Sequence, residues 1–351
     1  MKGIRKIAPY IPGIQPNTQD MIKINTNENP YPPSPRVAEA LRQFDSEQLK
    51  RYSSLDNLAL KEALAEKHGI AANQLMIGNG SDEVLAFSFL AFFNSEDPVL
   101  FPDITYGFYK VWADLFHIPF KEVPLNEKFE IDFHDYPQIN GGLVVANPNA
   151  PTGLFKTTDE IRALLERHSD VIVIIDEAYA EFAEESMFSL LNDYSNLIIV
   201  RTLSKSQALA GLRIGYAAGA PEYIAVLESI KSSFNPYSVD SLAEALATAA
   251  VKDTAYYQKI TDEICMTREW FSQQLKELGF TSLSSQTNFL LTTHPNLNMK
   301  QLYQYLEEKN IFVRYFSKPE RLNSYLRISI GTREEMEAVV SAITDYLKKE
   351  I

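Results

Sequence analysis

The chain has 351 residues, 45% of them hydrophobic and 23% charged, and its 46 acidic against 33 basic side chains give a formal charge of −13. This composition is ordinary for a globular protein and the length suits two cores, so two domains are expected. The acidic balance, without any broad basic stripe, excludes a nucleic-acid binder, although a few buried arginines still allow an anionic substrate. A single cysteine, Cys265, allows no internal disulfide and no Cys-rich metal site. The five histidines lack ligand spacing, so no metal is expected. The longest apolar stretch, residues 84–93, is too short to span a bilayer and contains Ser88. The basic start, residues 1–6, runs into Pro9, Pro12 and Pro16 rather than an apolar leader, and a cytoplasmic protein is expected.

In chain order, residues 1–35 carry Pro9, Pro12, Pro16, Pro30, Pro32, Pro33 and Pro35, a density that forbids regular helix. Tyr10, Ile11, Ile14, Met21, Ile22 and Ile24 are too apolar for a free tail, so this arm is expected to lie extended on the folded body. Residues 36–250 alternate helical patterns, such as 158–168, with continuous apolar runs at 75–77, 99–101, 143–146, 171–175 and 197–200. Runs of that kind separated by helices predict an α/β domain with a mostly parallel sheet buried on both faces. Ligands of such sheets sit beyond the carboxyl ends of the strands. Polar clusters fall there: 78–82, 147–149, 176–179 and 202–205. Residues 251–351 change character. An amphipathic helix over 260–278 ends at Gly279 and includes Cys265, read as a buried inert thiol. Strand-like runs at 288–291, 311–314 and 326–330 and a closing helix over 334–348 predict a smaller α+β domain.

The chemistry concentrates where an apolar strand meets Arg201-Thr202-Leu203-Ser204-Lys205, with Arg213 eight residues further on. An amine at a strand end, beside hydroxyls and a guanidinium able to fix a phosphate, is what pyridoxal 5'-phosphate (PLP) chemistry requires. Gly78-Asn79-Gly80-Ser81-Asp82-Glu83 opens a helix whose free amides suit a phosphate, or it is an ordinary turn capped by Ser81 or Asp82. Asp176 can pair with a protonated pyridine nitrogen or cap the next helix, and Tyr179 can bind the ring's phenolic oxygen or pack in a core. The rigid turn Asn147-Pro148-Asn149-Ala150-Pro151-Thr152-Gly153, where an X-Pro cis bond fits, holds Asn147 over a ligand or simply connects two elements. Tyr106 stacks on a ring or packs, and Tyr52 is equally ambiguous.

In this order the motifs resemble the fold type I PLP-dependent aminotransferases over nearly the whole chain. The resemblance implies a large PLP-binding domain and a smaller one, with Lys205 as Schiff-base lysine and proton shuttle and Asp176 as partner of the pyridine nitrogen. It implies Asn147 and Tyr179 on the phenolic oxygen and Tyr106 on the ring. The phosphate would be held by the Ser81 and Asp82 amides, Thr202, Ser204 and Arg213, and by Tyr52 of a second subunit in a homodimer. Tyr10, the segment 25–30, the turn 78–83, Arg314 and Arg327 are similar to those of the histidinol-phosphate aminotransferase family. That implies small-molecule substrates, histidinol phosphate and glutamate or 2-oxoglutarate. Arg327 would bind the α-carboxylate, and Arg314 the substrate phosphate with Tyr10 and Asn27. Ala150 stands where that family often has a second asparagine. An aromatic-amino-acid aminotransferase would share every cofactor residue. A threonine-phosphate decarboxylase would share the fold, but its N-terminal His-Gly-Gly is absent. A PLP-sensing regulator would need a DNA-binding domain that the short arm is not expected to provide.

Overall fold

The structure, a computed structural model, describes residues 3–16 and 20–350. Residues 4–16 form no helix or strand, as their prolines require. They lie on the body: Arg5 donates to the Leu115 carbonyl at 2.5 Å, and Tyr10 stacks on Phe108 with ring centroids 4.3 Å apart. The first strand, β1 (Ile22–Lys23), pairs in parallel with Ile311–Phe312 near the other end of the chain.

Helices α1 (Pro35–Gln43) and α2 (Leu58–His68) then lead into β2 (Leu75–Asn79), followed by α3 (Gly80–Phe92), β3 (Val99–Pro102), α4 (Phe108–Phe116) and β4 (Phe120–Val123). Next come β5 (Gly142–Ala146), α5 (Thr158–Arg167), β6 (Val173–Asp176), β7 (Leu197–Thr202) and β8 (Ile214–Gly219). Helices α6 (Pro221–Phe234) and α7 (Ser241–Val251) complete this part. The seven strands form one sheet in the order β2-β8-β7-β6-β5-β3-β4, and β8 alone runs against its neighbours.

Side chains alternate across a strand, so a strand apolar at every position must be covered on both faces. Leu143, Val145, Val173, Ile175, Leu197 and Ile199 pack with Leu60, Leu64, Ile161, Leu165 and Leu246 of α2, α5 and α7. The intervening Val144, Ile174, Ile198 and Val200 pack with Val84, Phe89, Tyr109, Trp112 and Leu227 of α3, α4 and α6. Each of these large apolar side chains contributes on the order of 1.5–3 kcal/mol on burial. Two strands of this sheet escaped the sequence reading. β4 alternates Phe-Lys-Glu-Val on the sheet edge, and β8 is composed of small residues and glycine around Tyr216.

The C-terminal part holds α8 (Thr254–Glu277), β9 (Thr281–Ser282), β10 (Phe289–Thr293), α9 (Met299–Glu308), β11 (Ile311–Phe312), β12 (Arg314–Tyr315), β13 (Leu326–Ser329) and α10 (Arg333–Glu350). Strands β12-β13-β10-β9 form an antiparallel sheet. Its apolar face meets Ile264 and Phe271 of α8, Leu302 and Leu306 of α9, and Val339 and Ile343 of α10. The run expected as one strand over 311–314 is two: β11 pairs with the arm and β12 with β13, on either side of buried Val313. Cys265 is a free thiol, partly buried in α8. Ile24 of the arm and Tyr179 from beyond β6 pack in this C-terminal cluster, so the arm and the two sheets meet there.

Candidate active site

The parallel strands deliver their carboxyl ends to one edge of the large sheet, and the reversed β8 delivers its amino end to the same edge. Register places Asn79 opposite Ile214, and Gly215 opposite both Gly78 and Thr202. Arg213, one residue before β8, therefore lies beside the start of α3 and the end of β7. It adopts the left-handed conformation, φ 54°, and its Nη2 donates to Asp82 Oδ2 at 2.9 Å. Two glycines make this approach possible. A Cβ on Gly80 would stand 2.7 Å from Arg213 Nη2, and one on Gly215 would stand 2.2 Å from the Ser81 amide nitrogen.

A cleft of about 560 Å³, open to solvent, occupies this edge. Ser81, Asp82, Tyr106, Ala150, Asp176, Tyr179, Thr202, Ser204, Lys205 and Arg213 line it, together with Ala146, Pro148 and Ala178. Thr202 Oγ1 accepts from the Ser204 amide at 3.1 Å and lies 2.9 Å from Ser204 Oγ, which fixes both hydroxyls. Tyr106 donates to Asp82 Oδ1 at 2.7 Å, and burial followed by the Asp82 charge holds its phenol well above the ordinary range.

Asp176 ends β6 and is 5% exposed. Burial pushes its carboxyl up to about 6, against the pull of the Tyr109 hydroxyl, which donates at 2.7 Å, and the Ala178 amide at 3.1 Å. It forms no salt bridge among the described residues. Lys205 is partly buried; its Nζ donates to the Thr26 carbonyl at 3.3 Å and lies 5.7 Å from the Tyr179 ring centroid. Asn29 Nδ2 donates to the carbonyls of Lys205 and Ser206 at 3.0 and 3.1 Å, so the arm also fixes the lysine's backbone.

A second cavity, adjoining the first at Tyr106, Ala150, Tyr179 and Lys205, is lined by Tyr10, Asn25, Thr26, Asn27, Arg314, Phe316, Lys318 and Arg327. Arg327 Nη2 donates to the Asn25 carbonyl at 3.0 Å, and Arg314 Nη2 to the Ile11 carbonyl at 3.2 Å. Neither guanidinium has a carboxylate partner among the described residues. Arg327 Nε is enclosed without any hydrogen-bond acceptor, its guanidinium lies over Phe289 and Phe316, and burial lowers its pKa. A desolvated cation with an unused donor is arranged for an anion.

Two of the sequence-predicted site residues are elsewhere, and a third is not free to bind. Asn147 is turned from the cleft: its Nδ2 donates to the Lys156 carbonyl at 2.9 Å and its Oδ1 accepts from the Lys156 amide at 2.7 Å. The turn does contain cis bonds at Pro148 and Pro151, and Ala150, rather than an asparagine, faces the cleft. Tyr52 is 81% exposed and stacks on Tyr237, outside both cavities. Asn27 borders the second cavity but is 1% exposed, with its amide committed to Tyr179 and Ser329. The sequence reading missed Tyr109, Phe316 and Lys318. Tyr109 lies three residues beyond Tyr106, in the first turn of α4, and that spacing, which brings the two rings to 5.7 Å, is the signal that would have suggested it.

The residues present fit PLP. A buried carboxyl without a cation suits the ring nitrogen, and Arg213 with the first-turn amides of α3 and the two hydroxyls suits the phosphate. The fold and this cleft define an aminotransferase of class I and II, and the family model of that description matches residues 19–343. A histidinol-phosphate aminotransferase of Acinetobacter baumannii strain SDF is 47% identical over 343 residues, which cover 97% of this chain and 95% of that protein. Another, from Lactococcus lactis subsp. cremoris strain MG1363, is 46% identical over 345 residues, covering 98% and 97%. The chain belongs to the histidinol-phosphate aminotransferase family. The crystal structure of the histidinol-phosphate aminotransferase from Sinorhizobium meliloti in complex with pyridoxal-5'-phosphate has a TM-score of 0.85 to this chain. It covers 94% of this chain and 92% of that one at 24% identity, and shares its fold.

Proposed function

We infer that this chain transfers the amino group of histidinol phosphate to 2-oxoglutarate in histidine biosynthesis, giving imidazole-acetol phosphate and glutamate. The observation that carries the reading is one continuous cleft with Lys205 and Asp176 at one end and two guanidiniums lacking carboxylate partners at the other. PLP, when bound, supplies an aldehyde for covalent capture and a ring that withdraws electrons from the substrate Cα. Lys205 would hold the aldehyde carbon, Asp176 the ring nitrogen, Tyr179 the phenolic oxygen and Tyr106 a ring face. Arg213, Thr202, Ser204 and the Ser81 and Asp82 amides would hold the phosphate. Lys205 Nζ would also take the proton from the substrate Cα. Arg327 binds the α-carboxylate in a site where burial strengthens the pairing, and Arg314 with Tyr10 binds the distal phosphate or carboxylate.

Arg314 favours this substrate over a plain aromatic amino acid, because an aromatic ring leaves that cation unanswered. The arm (1–35), large domain (36–250) and small domain (251–351) act as separate units of one cleft. The enzyme works in the cytoplasm as a homodimer in which Tyr52 reaches the partner's phosphate site. The exposure of Tyr52, stacked on Tyr237, supports that assembly. Among the described residues no helix is long and apolar enough to cross a membrane.

Two measurements test the reading. Borohydride reduction of the PLP-loaded protein, followed by peptide mapping, places the pyridoxyl group on Lys205; labelling at another lysine overturns the site. Histidinol phosphate gives a higher kcat/KM than phenylalanine with 2-oxoglutarate as acceptor, and the reverse order overturns the substrate.

A further inference from the structure

Asn27 is unusual among the arm residues because every polar group it has is engaged. It is 1% exposed and left-handed, φ 57°, a conformation that asparagine tolerates better than most residues. Its amide N–H donates to Ser329 Oγ at 3.0 Å, and its carbonyl accepts from Asn288 Nδ2 at 3.0 Å. Its Oδ1 accepts from the Ser329 hydroxyl at 2.8 Å, and its Nδ2 donates to Tyr179 Oη at 2.8 Å.

The bonds fix which way the side-chain amide faces. Ser329 Oγ already accepts from the Asn27 backbone, so its proton goes to an acceptor, and Asn27 Oδ1 is the one present. The NH₂ end must then face Tyr179. A phenol that accepts a hydrogen bond on its oxygen lone pair points its own proton elsewhere, and Tyr179 lines the cleft beside Lys205. Tyr179 is therefore set as a donor into the cleft.

No amide from the neighbouring turn shares that task. Asn147 is committed to Lys156, Asn149 to Ile104, Thr105 and Thr152, and the cleft-facing residue between Pro148 and Pro151 is Ala150. We propose that Asn27 is a positioning residue that acts through Tyr179, orienting its hydroxyl as the donor to the phenolic oxygen of bound PLP. The proposal rests on the cofactor reading given above. It also ties that donor to the strand that reads the substrate: Ser329 and Arg327 are two residues apart on β13 and share a face.

The titratable and charged groups around this hydroxyl are Lys205, Asp176, Tyr109 and Arg327. A donor to the phenolic oxygen stabilises its anionic form, and so favours loss of the proton from the nitrogen that joins Lys205 to the cofactor. The midpoint of the pH titration of the visible absorbance of the PLP-loaded protein reports that balance. Tyr179→Phe raises the midpoint by about one pH unit by removing the donor. In Asn27→Asp the new carboxylate accepts the Tyr179 proton and turns it from the cleft, so the midpoint rises by a similar amount.

Asp also brings a charge, so the same substitution is measured in the Tyr179→Phe background. The proposal expects no further rise there; a rise of equal size means a direct charge effect and overturns it. An unchanged midpoint in Asn27→Asp overturns it as well. Ser329→Ala, which releases the amide to rotate, is the second variant should Asn27→Asp not fold. It raises the midpoint in the same direction only while Tyr179 is present, and an unchanged midpoint counts against the proposal. Wild-type protein that gains no visible band and no borohydride-stable label at Lys205 would instead overturn the cofactor reading, and the proposal with it.

Discussion

The two ends of the cleft are built on different plans. The cofactor end takes Asp176 and Thr202 from the termini of neighbouring strands in one sheet, and Asp82, Lys205 and Arg213 from the segments joined to those termini, so the sheet's hydrogen bonds set their spacing. The substrate end takes Tyr10 and Asn27 from the arm, and Arg314 and Arg327 from the small antiparallel sheet. It is held together by a few bonds across great sequence distance, such as the two between Asn27 and Ser329, 302 residues apart. The first end is a rigid edge, while the second exists only when three separate pieces of chain meet. On the proposed function, chemistry belongs to the first and discrimination to the second.

Substitutions at each end sharpen that division. Lys205→Ala should lower kcat by about 10⁴-fold or more, since it removes both the covalent anchor and the proton carrier. Its thermal midpoint should barely move, because Nζ makes a single 3.3 Å bond to the Thr26 carbonyl; a large loss of stability would mean the lysine is structural. At the other end, Arg327→Ala should reduce kcat/KM about a thousandfold for every amino acid tested, through the loss of a desolvated, charge-assisted pairing. Arg327→Lys should recover only part, because an ammonium cannot reproduce the fork.

Arg314→Ala should be selective. We expect about a hundredfold loss of kcat/KM for histidinol phosphate and little change for phenylalanine. Equal losses on both would break the assignment of the distal anion to this residue. An effect of comparable size is expected in stability. Asp176 has a folded pKa of about 6 against an ordinary 3.8, so its folded form holds the proton more tightly. The penalty for ionising it is absent below pH 4, develops between 4 and 6, and is constant above. Asp176→Asn should therefore stabilise the cofactor-free protein at pH 7 by up to about 3 kcal/mol, with no gain at pH 3.5. Urea midpoints at the two pH values measure it, and the same variant should bind PLP less productively.

What could be read from the residues follows the same division. The continuous apolar runs ending in Asp176 and Thr202 announced buried parallel strands, and polar residues at their ends announced a ligand. β8 did not declare itself, because Ala217, Ala218 and Gly219 carry little strand preference. Asn147 was misplaced for a local reason. In a turn with two prolines and one further asparagine, only the fold reveals that Asn147 bonds Lys156 while Ala150 faces the cleft. The role of Asn27 was out of reach, since it depends on Ser329 and Tyr179 arriving from two other layers. Arg314 and Arg327 were assigned by resemblance alone. Their lack of carboxylate partners, which gives them physical meaning, appears only in the fold.

The pairing of β1 with β11 has a bearing on how the protein is made. Synthesis releases the chain from its amino end, so the last strand terminus of the cofactor edge, at Arg213, emerges more than a hundred residues before Arg327 and Ser329. The arm, made before either sheet, must wait for the strand near residue 311 before Ile22 and Lys23 find Ile311 and Phe312. Capture of vitamin B6 and recognition of a substrate thus become available at different moments in the birth of a single molecule, with selectivity arriving last.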